Sequence, residues 1–211
     1  MINIAIDGPA GAGKSTVAKA VAKELNIVYL DTGAMYRATA YNAIKNGIDV
    51  CDEKKVSEML ETLTMDVTYD NGAQQIIVNG FNTTPFLREH YMSKAASDIS
   101  AHPCVRYKMV EIQRQLAKTY DLILDGRDIG TFVLPDANCK IFLVASPEER
   151  AKRRVEENKL KGQESDFVTV LEDIKNIRKF IVALFRCFCC SFYCNLFTIC
   201  FNRRLCNYLC A

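Results

Sequence analysis

The stretch Asp-Gly-Pro-Ala-Gly-Ala-Gly-Lys-Ser-Thr, from Asp7 to Thr16, restricts the possible folds more than any other part of the chain. It contains the pattern GxxxxGK[ST], preceded by the apolar run Ile2–Ile6 and followed by a helical pattern at Val17–Leu25. Glycines let backbone N–H groups surround phosphate oxygens, and the following helix directs its positive end at the same anion. A chance glycine-rich turn would not need a strand before it and a helix after it. We therefore predict an ATP phosphate site made by Gly8, Pro9, Ala10, Gly11, Ala12, Gly13, Lys14, Ser15 and Thr16.

Three residue types in this region suit phosphoryl transfer with ATP and Mg²⁺. Lys14 is placed to neutralise the β- and γ-phosphates, and the hydroxyl of Ser15 is a magnesium ligand in such loops. Asp125 follows the apolar run Leu122–Leu124, where a carboxylate joins the magnesium site from a neighbouring strand. A turn or helix-capping aspartate is the alternative interpretation of Asp125. We predict that Lys14 and Asp125 are catalytic and that Ser15 and Asp125 bind the metal.

The order of apolar segments predicts a parallel sheet covered by helices on both faces. Val28–Leu30 forms a second strand before a helix that opens in the segment Asp31–Arg37, and Ile141–Val144 forms a fourth after Leu122–Leu124. Alternating strands and helices are typical of α/β folds. The predicted class is an α/β, three-layer sandwich of the phosphate-loop nucleoside triphosphate hydrolase type.

A change of period inside the chain predicts an insert in this sandwich. Asp66–Tyr69 and Gln75–Val78 alternate in polarity around Asp70-Asn71-Gly72, which is the pattern of a β-hairpin. An antiparallel insert in an α/β chain usually belongs to the acceptor side of the site. We place this monophosphate-binding insert at about residues 38–106, within a domain that spans residues 1–175.

A basic helix is predicted to follow Ser146-Pro147-Glu148-Glu149, which has the composition of a helix N-terminus. Its basic residues are Arg150, Lys152, Arg153 and Arg154. A solvated helix face is one interpretation. Beside an ATP site, the other is a lid at about residues 147–165 that brings Arg150 and Arg154 over the transferring phosphoryl group and excludes water.

Further arginines are candidates for holding a phosphorylated acceptor, because a guanidinium binds phosphate through two parallel hydrogen bonds. Arg127 and Asp128 follow Asp125 directly, at the strand edge where substrates of such sheets bind. Arg37, Arg88 and Arg106 lie on segments expected to surround one cleft, although each by itself could be a solvated surface charge. The two histidines, His90 and His102, have no nucleophile nearby in the sequence and are interpreted as structural.

Several blocks together resemble the bacterial cytidylate kinase family over residues 1 to about 175. After the phosphate loop, the family-specific blocks are Leu30-Asp-Thr-Gly-Ala-Met-Tyr-Arg37 and Leu124-Asp-Gly-Arg-Asp-Ile-Gly-Thr131. Pro135-Asp-Ala, Lys140-Ile-Phe-Leu143 and Ala145-Ser-Pro-Glu-Glu-Arg-Ala-Lys-Arg-Arg154 complete the set.

This resemblance implies ATP-dependent phosphorylation of CMP and dCMP by a cytoplasmic monomer. It implies that Thr32 and Arg37 contact the acceptor nucleotide and that Arg127 holds its phosphate. Together with Lys14 and Asp125, the predicted catalytic residues are Arg127, Arg150 and Arg154. Ser97, Arg106 and Asp128 would read the cytosine edge, which presents an amino donor beside acceptors.

Other functions are weighed against this one. A phosphate-loop kinase of another monophosphate or of a metabolite hydroxyl remains an alternative, as does an ATP-binding protein that docks on a membrane by its tail. A regulatory GTPase would need a base-reading Asn-Lys-x-Asp segment, which the sequence lacks. The net charge of +2 gives no broad field for nucleic acid or membrane. The chain opens on a strand pattern without a basic leader, so we expect a cytoplasmic protein.

The composition changes abruptly after about residue 176. Seven of the ten cysteines lie in Cys187–Cys210, without a histidine or a regular series of CxxC pairs, which disfavours a zinc site. Phe180–Phe201 is long and apolar enough for a membrane span, but Arg186 inside it makes one costly. The family shows an Arg-Asp-x-x-Asp-x-x-Arg segment here, and Asn176-Ile-Arg-Lys-Phe-Ile-Val182 breaks it.

We hypothesise that residues 176–211 are translated from a shifted reading frame. The chain would then lack the ribose-binding carboxylate and one or two phosphate-binding arginines of the family. Exposed apolar side chains and thiols predict aggregation and poor activity. Resequencing the gene tests the hypothesis, because an unshifted reading that still encodes this tail would contradict it.

Overall fold

The structure is a computed structural model that describes residues 1–70, 73–160, 162 and 164–175. Its strands are β1 (Asn3–Asp7), β2 (Val28–Asp31), β3 (Met65–Asp70), β4 (Ala73–Val78), β5 (Phe81–Asn82), β6 (Leu122–Gly126) and β7 (Cys139–Phe142). Its α-helices are α1 (Lys14–Leu25), α2 (Thr32–Lys45), α3 (Glu53–Glu61), α4 (Met92–Ile99), α5 (Pro103–Thr119) and α6 (Pro147–Leu160). A 3₁₀ turn at Thr84–Phe86, a π-turn at Ile129–Val133 and a helical segment at 167–175 complete the described elements.

Four of the strands form a parallel sheet in the order β2-β6-β1-β7. The register places Asp31 beside Asp125, and Asp7 beside Gly126. The carboxyl ends of three adjacent strands, β2, β6 and β1, therefore meet at one edge of the sheet. Ligands of open parallel sheets bind outside this edge, at the point where the strand order reverses.

Alternation along the strands builds an apolar core on each face of the sheet, as expected for strands buried on both sides. Ile4, Ile6 and Ile123 pack with Ala18 and Ala22 of α1 on one face. On the opposite face, strand residues and residues of α2 and α5 form a larger core. The strands contribute Ala5, Leu30, Leu122 and Leu124, and the helices contribute Met35, Ala38 and Met109. This arrangement confirms the predicted three-layer α/β fold.

The predicted hairpin is present, with its turn at 71–72 outside the described residues. Strands β3 and β4 pair from Met65 with Val78 to Asp70 with Ala73. The short strand β5 extends this antiparallel sheet, and sequence reasoning missed it because two residues carry no readable period. Val56, Val67 and Ile76 share the apolar core of Leu30 and Leu124, so the insert packs on the main domain directly. Its sequence limits of 38–106 stay a prediction.

Two predicted element boundaries were wrong by a few residues. Helix α1 begins at Lys14 rather than at Val17, because the last residues of the phosphate loop are already helical. Strand β7 covers Cys139–Phe142 rather than Ile141–Val144. Its partner strand β1 ends at Asp7, which pairs with Phe142, so the ladder cannot continue further.

Helix caps at the site follow local chemistry. The Asp31 carboxylate accepts a 2.9 Å hydrogen bond from the backbone N–H of Ala34 and caps α2. The Ser146 hydroxyl accepts a 3.1 Å bond from the N–H of Glu149, which confirms the predicted start of α6.

Among the described residues, no helix has the length and apolarity needed to cross a membrane. The tail that follows residue 175, with its hypotheses, lies outside the described residues.

Candidate active site

The phosphate loop turns sharply between β1 and α1. Gly8, Gly11 and Gly13 have φ angles of +147°, +75° and +93°, which L side chains rarely adopt. A Cβ atom at Gly8 would also lie 2.1 Å from the carbonyl oxygen of Leu143. Only glycine therefore fits where the loop leaves the sheet, and the loop backbone remains free to surround an anion.

Lys14 lies within this loop with a largely buried side chain, 9% exposed. Its Nζ donates a 2.9 Å hydrogen bond to the carbonyl oxygen of Pro9. Burial and, after it, the positive charge of Arg127 lower the pKa of Lys14 to about 8, against the opposing effect of Asp125. A buried lysine with other cations nearby has a strong electrostatic preference for a polyanionic ligand.

A hydroxyl and a carboxylate meet at the strand edge beside Lys14. The Ser15 hydroxyl donates a 2.7 Å hydrogen bond to Oδ2 of Asp125, and the Tyr29 hydroxyl donates a 2.9 Å bond to Oδ1. Burial raises the pKa of Asp125, while the bond from Ser15 partly opposes this rise. Tyr29 escaped the sequence analysis, because nothing in an apolar strand signals that a phenol reaches the next strand.

The start of α2 brings the next predicted residues to this edge. The Thr32 hydroxyl donates a 2.8 Å bond to the backbone carbonyl of Asp125. Arg37 pairs with Asp31 at 3.0 Å. Gln74, on the insert, accepts a 2.7 Å bond from the backbone N–H of Asp31, so β4 is attached directly to the site edge. Sequence reasoning did not identify this glutamine.

Arg106 and Asp128 form an ion pair between α5 and the loop after β6, with side chains 41% and 31% exposed. These two predicted acceptor residues are thus brought together from different elements. Arg127 precedes Asp128, and its charge acts on Lys14. Arg127 is therefore adjacent in sequence to the Arg106–Asp128 pair and close enough to the phosphate loop to affect Lys14.

Helix α6 packs against the phosphate loop. A Cβ atom at Gly11 would lie 3.3 Å from Cβ of Arg150, whose side chain is buried. The Arg153 guanidinium donates a 3.3 Å hydrogen bond to the carbonyl oxygen of Gly11 and a 3.1 Å bond to Oε1 of Glu149. Arg154 lies close enough to lower the pKa of Arg127, after the larger effect of desolvation. Arg150 and Arg154, which were predicted for the lid, thus lie close to the phosphate loop and Arg127. Arg153 contacts the loop as well, and the sequence did not single it out because it could not show which arginine of the run faces the loop.

Other candidates are less closely connected to the site. Ser97 is exposed on α4 and Arg88 is exposed before it, and no contact described for residues 73–160 joins either side chain to the Arg106–Asp128 pair. Their roles stay predictions. His102 has its Nε2 atom 2.8 Å from the carbonyl oxygen of Val50, and His90 packs edge-on against Tyr91. These contacts agree with the structural interpretation of both histidines.

The fold and the site together define a phosphate-loop protein of the nucleotide-dependent phosphotransferase class, with several cationic side chains at the edge of the sheet where the loop lies. Within this class, residues 4–179 match the family model for cytidylate kinase. The chain belongs to the cytidylate kinase family. The matched region ends close to the point where the composition changes.

Individual relatives agree with this assignment. Cytidylate kinase of Anoxybacillus flavithermus is 50% identical over 173 residues, which cover 82% of this chain and 77% of that protein. Cytidylate kinase of Bacillus subtilis is 47% identical over 173 residues with the same coverage. Among solved structures, shikimate kinase from Bacteroides thetaiotaomicron overlaps with a TM-score of 0.43 at 15% identity, covering 88% of this chain and 81% of that chain.

Proposed function

We propose that the chain transfers the γ-phosphoryl group of ATP to CMP and dCMP, forming ADP and the cytidine diphosphate. Membership of the cytidylate kinase family supports this activity. The observation that carries it within the molecule is the juxtaposition of the phosphate loop, through Lys14 and Arg127, with the Arg106–Asp128 pair. This juxtaposition supports a donor site and an acceptor site that share Arg127.

The donor side suits ATP with a hard divalent cation. Backbone N–H groups of the loop and Lys14 bind the phosphates, and the crowding of Lys14 by other cations is relieved when an anion enters. Ser15 and Asp125 fit Mg²⁺, because their oxygens lie 2.7 Å apart and are the ligand type that this ion prefers. Bound Mg²⁺ neutralises charge on the phosphate oxygens. Tyr29 holds the Asp125 carboxylate in position through its other oxygen.

The acceptor side suits a cytidine monophosphate. Arg127 and Arg37 would supply guanidinium groups to the acceptor phosphate. Thr32, whose hydroxyl donates to the carbonyl of Asp125, would contact the acceptor nucleotide. The Asp128 carboxylate, oriented by Arg106, can accept a hydrogen bond from the cytosine amino group. Phosphoryl transfer then needs no covalent nucleophile on the protein, since catalysis consists of positioning and charge stabilisation.

Helix α6, as the lid, adds positive side chains next to the phosphate loop. Arg150, Arg153 and Arg154 surround the phosphate loop and Arg127, where negative charge is spread over the transferring oxygens. Closure over both nucleotides would exclude water and so suppress ATP hydrolysis. The same proposal makes the enzyme a cytoplasmic monomer whose partners are ATP and CMP or dCMP, rather than nucleic acid or membrane.

Substrate choice is tested by measuring ADP release from the purified 211-residue chain with ATP and Mg²⁺. CMP, dCMP, UMP, AMP and shikimate are supplied in turn, and a Lys14→Met variant serves as the blank. We expect turnover with CMP and dCMP alone. Rapid turnover of AMP or shikimate in place of CMP would contradict the proposal. Turnover far below that of a family member with an unaltered C-terminus would support the harmful effect predicted for the tail.

A further inference from the structure

The buried carboxylate of Asp7 has no place in the chemistry described above. Its side chain is 5% exposed. The backbone N–H of Ile129 donates a 2.7 Å hydrogen bond to Oδ1, and the N–H of Gly130 donates a 2.8 Å bond to Oδ2. Both oxygens of Asp7 are therefore engaged by the first two residues of the π-turn that directly follows Arg127 and Asp128.

The opposite end of this π-turn is held by an arginine. Nε of Arg114 donates a 2.8 Å bond to the carbonyl oxygen of Val133, and its Nη2 donates a 2.8 Å bond to the carbonyl oxygen of Phe132. A helical turn presents bare N–H groups at its start and bare carbonyls at its end. An anion at the first and a cation at the second are the charges that such a turn favours.

Helix α5 contacts this loop at two points. Arg106 and Arg114 are separated by about two helical turns, so both project from a similar face of α5. Arg106 pairs with Asp128 before the π-turn, while Arg114 binds the carbonyls at its end. The acceptor loop is thus attached to α5 on one side and to Asp7 on the other.

We propose that Asp7 and Arg114 are positioning residues that hold Arg127 and Asp128 at a set distance from the phosphate loop. This inference depends on the proposed function, because the groups held are the acceptor-binding ones. Asp7 immediately precedes Gly8, so one residue joins the backbone of the donor loop to the backbone of the acceptor loop. In-line transfer is sensitive to the distance between donor and acceptor, and a shift near 1 Å costs about a hundredfold in rate.

The test compares steady-state constants of Asp7→Asn, Arg114→Gln and Arg114→Lys with those of the parent chain. In Asp7→Asn, the side-chain N–H₂ group faces one of the two backbone N–H donors, so one hydrogen bond is lost. In Arg114→Gln, the guanidinium that donates to both carbonyl oxygens is removed. We expect kcat/KM for CMP to fall about tenfold to a hundredfold in Asp7→Asn and Arg114→Gln. In Arg114→Gln the KM for CMP should rise, while the KM for ATP changes less than about twofold. Arg114→Lys should recover part of the loss, because it keeps the charge.

Two matched controls separate positioning from general stability. Asp121→Asn removes a carboxylate that accepts a 2.5 Å bond from the N–H of Ile2 at the other end of the same sheet. Lys118→Gln removes an exposed cation from the last turn of α5. Both controls should keep parental constants for CMP. Thermal unfolding midpoints of all variants show whether any loss follows stability instead.

The outcomes distinguish the inference from the proposed function. If the parent phosphorylates CMP and both test variants keep its KM and kcat for CMP within about twofold, positioning by Asp7 and Arg114 is overturned and the function stands. A loss shared equally by KM for ATP and KM for CMP in Arg114→Gln also overturns it. If the parent prefers another monophosphate, the proposed function fails, and the same selective loss measured with that acceptor still supports the inference.

Discussion

The Ser15 hydroxyl donates a 2.7 Å hydrogen bond to Oδ2 of Asp125, although the two residues are 110 positions apart in sequence. The parallel register of β1 and β6 brings them together, because both strands end at the same edge of the sheet. A carboxylate from one strand thereby meets the first turn of the helix that follows another. This contact is the divalent-cation site that we propose for the phosphate loop.

Asp125→Asn should raise the Mg²⁺ concentration needed for half-maximal rate by about tenfold or more. The amide keeps the shape of the carboxylate but loses the charge that binds the cation. Ser15→Ala should act in the same direction, and the double variant should lose less than the sum of both effects. Initial rates measured against free Mg²⁺ at saturating ATP check this. An unchanged Mg²⁺ dependence in Asp125→Asn would place the metal elsewhere.

Lys14→Met should abolish turnover yet stabilise the nucleotide-free protein at pH 7. The folded-state pKa of Lys14 is about 8, below its ordinary value of 10.5. Below pH 8 both states carry the proton, so the folded protein bears the full cost of the buried charge. That cost decreases as pH rises above about 8 and is gone once pH exceeds the ordinary value of 10.5. The shift corresponds to about 3 kcal/mol at most.

Denaturant unfolding of the parent and of Lys14→Met at pH 7 and at pH 10 measures this difference. The gain from methionine should be largest at pH 7 and should shrink toward pH 10. Lys19→Met, at an exposed position of the same helix, is the matched control for replacing a lysine by methionine. A Lys14→Met protein less stable than the parent at pH 7 would show that the buried ammonium is well satisfied.

Arg106→Met and Asp128→Asn should each raise the KM for CMP about tenfold while leaving the KM for ATP nearly unchanged. The two side chains form one partly exposed pair, so their coupling in a double-mutant cycle should be about 1 kcal/mol or less. Lys108→Met, which removes a 3.9 Å surface pair with Glu111 on the same helix, is the control. Equal effects on CMP and UMP would mean that the pair binds the nucleotide without reading its base.

Arg153→Met should reduce kcat more than Lys152→Met, by about tenfold to a hundredfold against less than twofold. Arg153 contacts the carbonyl of Gly11 and is steadied by Glu149, whereas Lys152 is exposed one residue earlier on α6. A guanidinium held over the phosphate loop can stabilise charge in the transition state. Single-turnover rates at saturating substrates separate this effect from binding. Equal losses in both variants would assign α6 only a general electrostatic role.

Local sequence chemistry predicted much of the fold. The apolar strands, the phosphate loop between Ile6 and Val17, and the Ser146 cap are all consequences of residues close together in the chain. Element ends were less accurate, since β7 stops where its pairing with β1 stops. Partners in a ladder lie far apart in sequence, so a pattern read along one segment does not contain that limit.

By itself, the sequence predicted a triphosphate site, because GxxxxGK[ST] acts through backbone and side chains of a single loop. It also placed Arg127 and Asp128 at a strand end. Tertiary structure alone decided that Asp128 pairs with Arg106, that Arg153 rather than Lys152 faces Gly11, and that Asp7 binds the loop behind the acceptor residues. The physical reason is range: a loop motif is local, whereas these contacts depend on strand register and helix phase, which packing of the whole core sets.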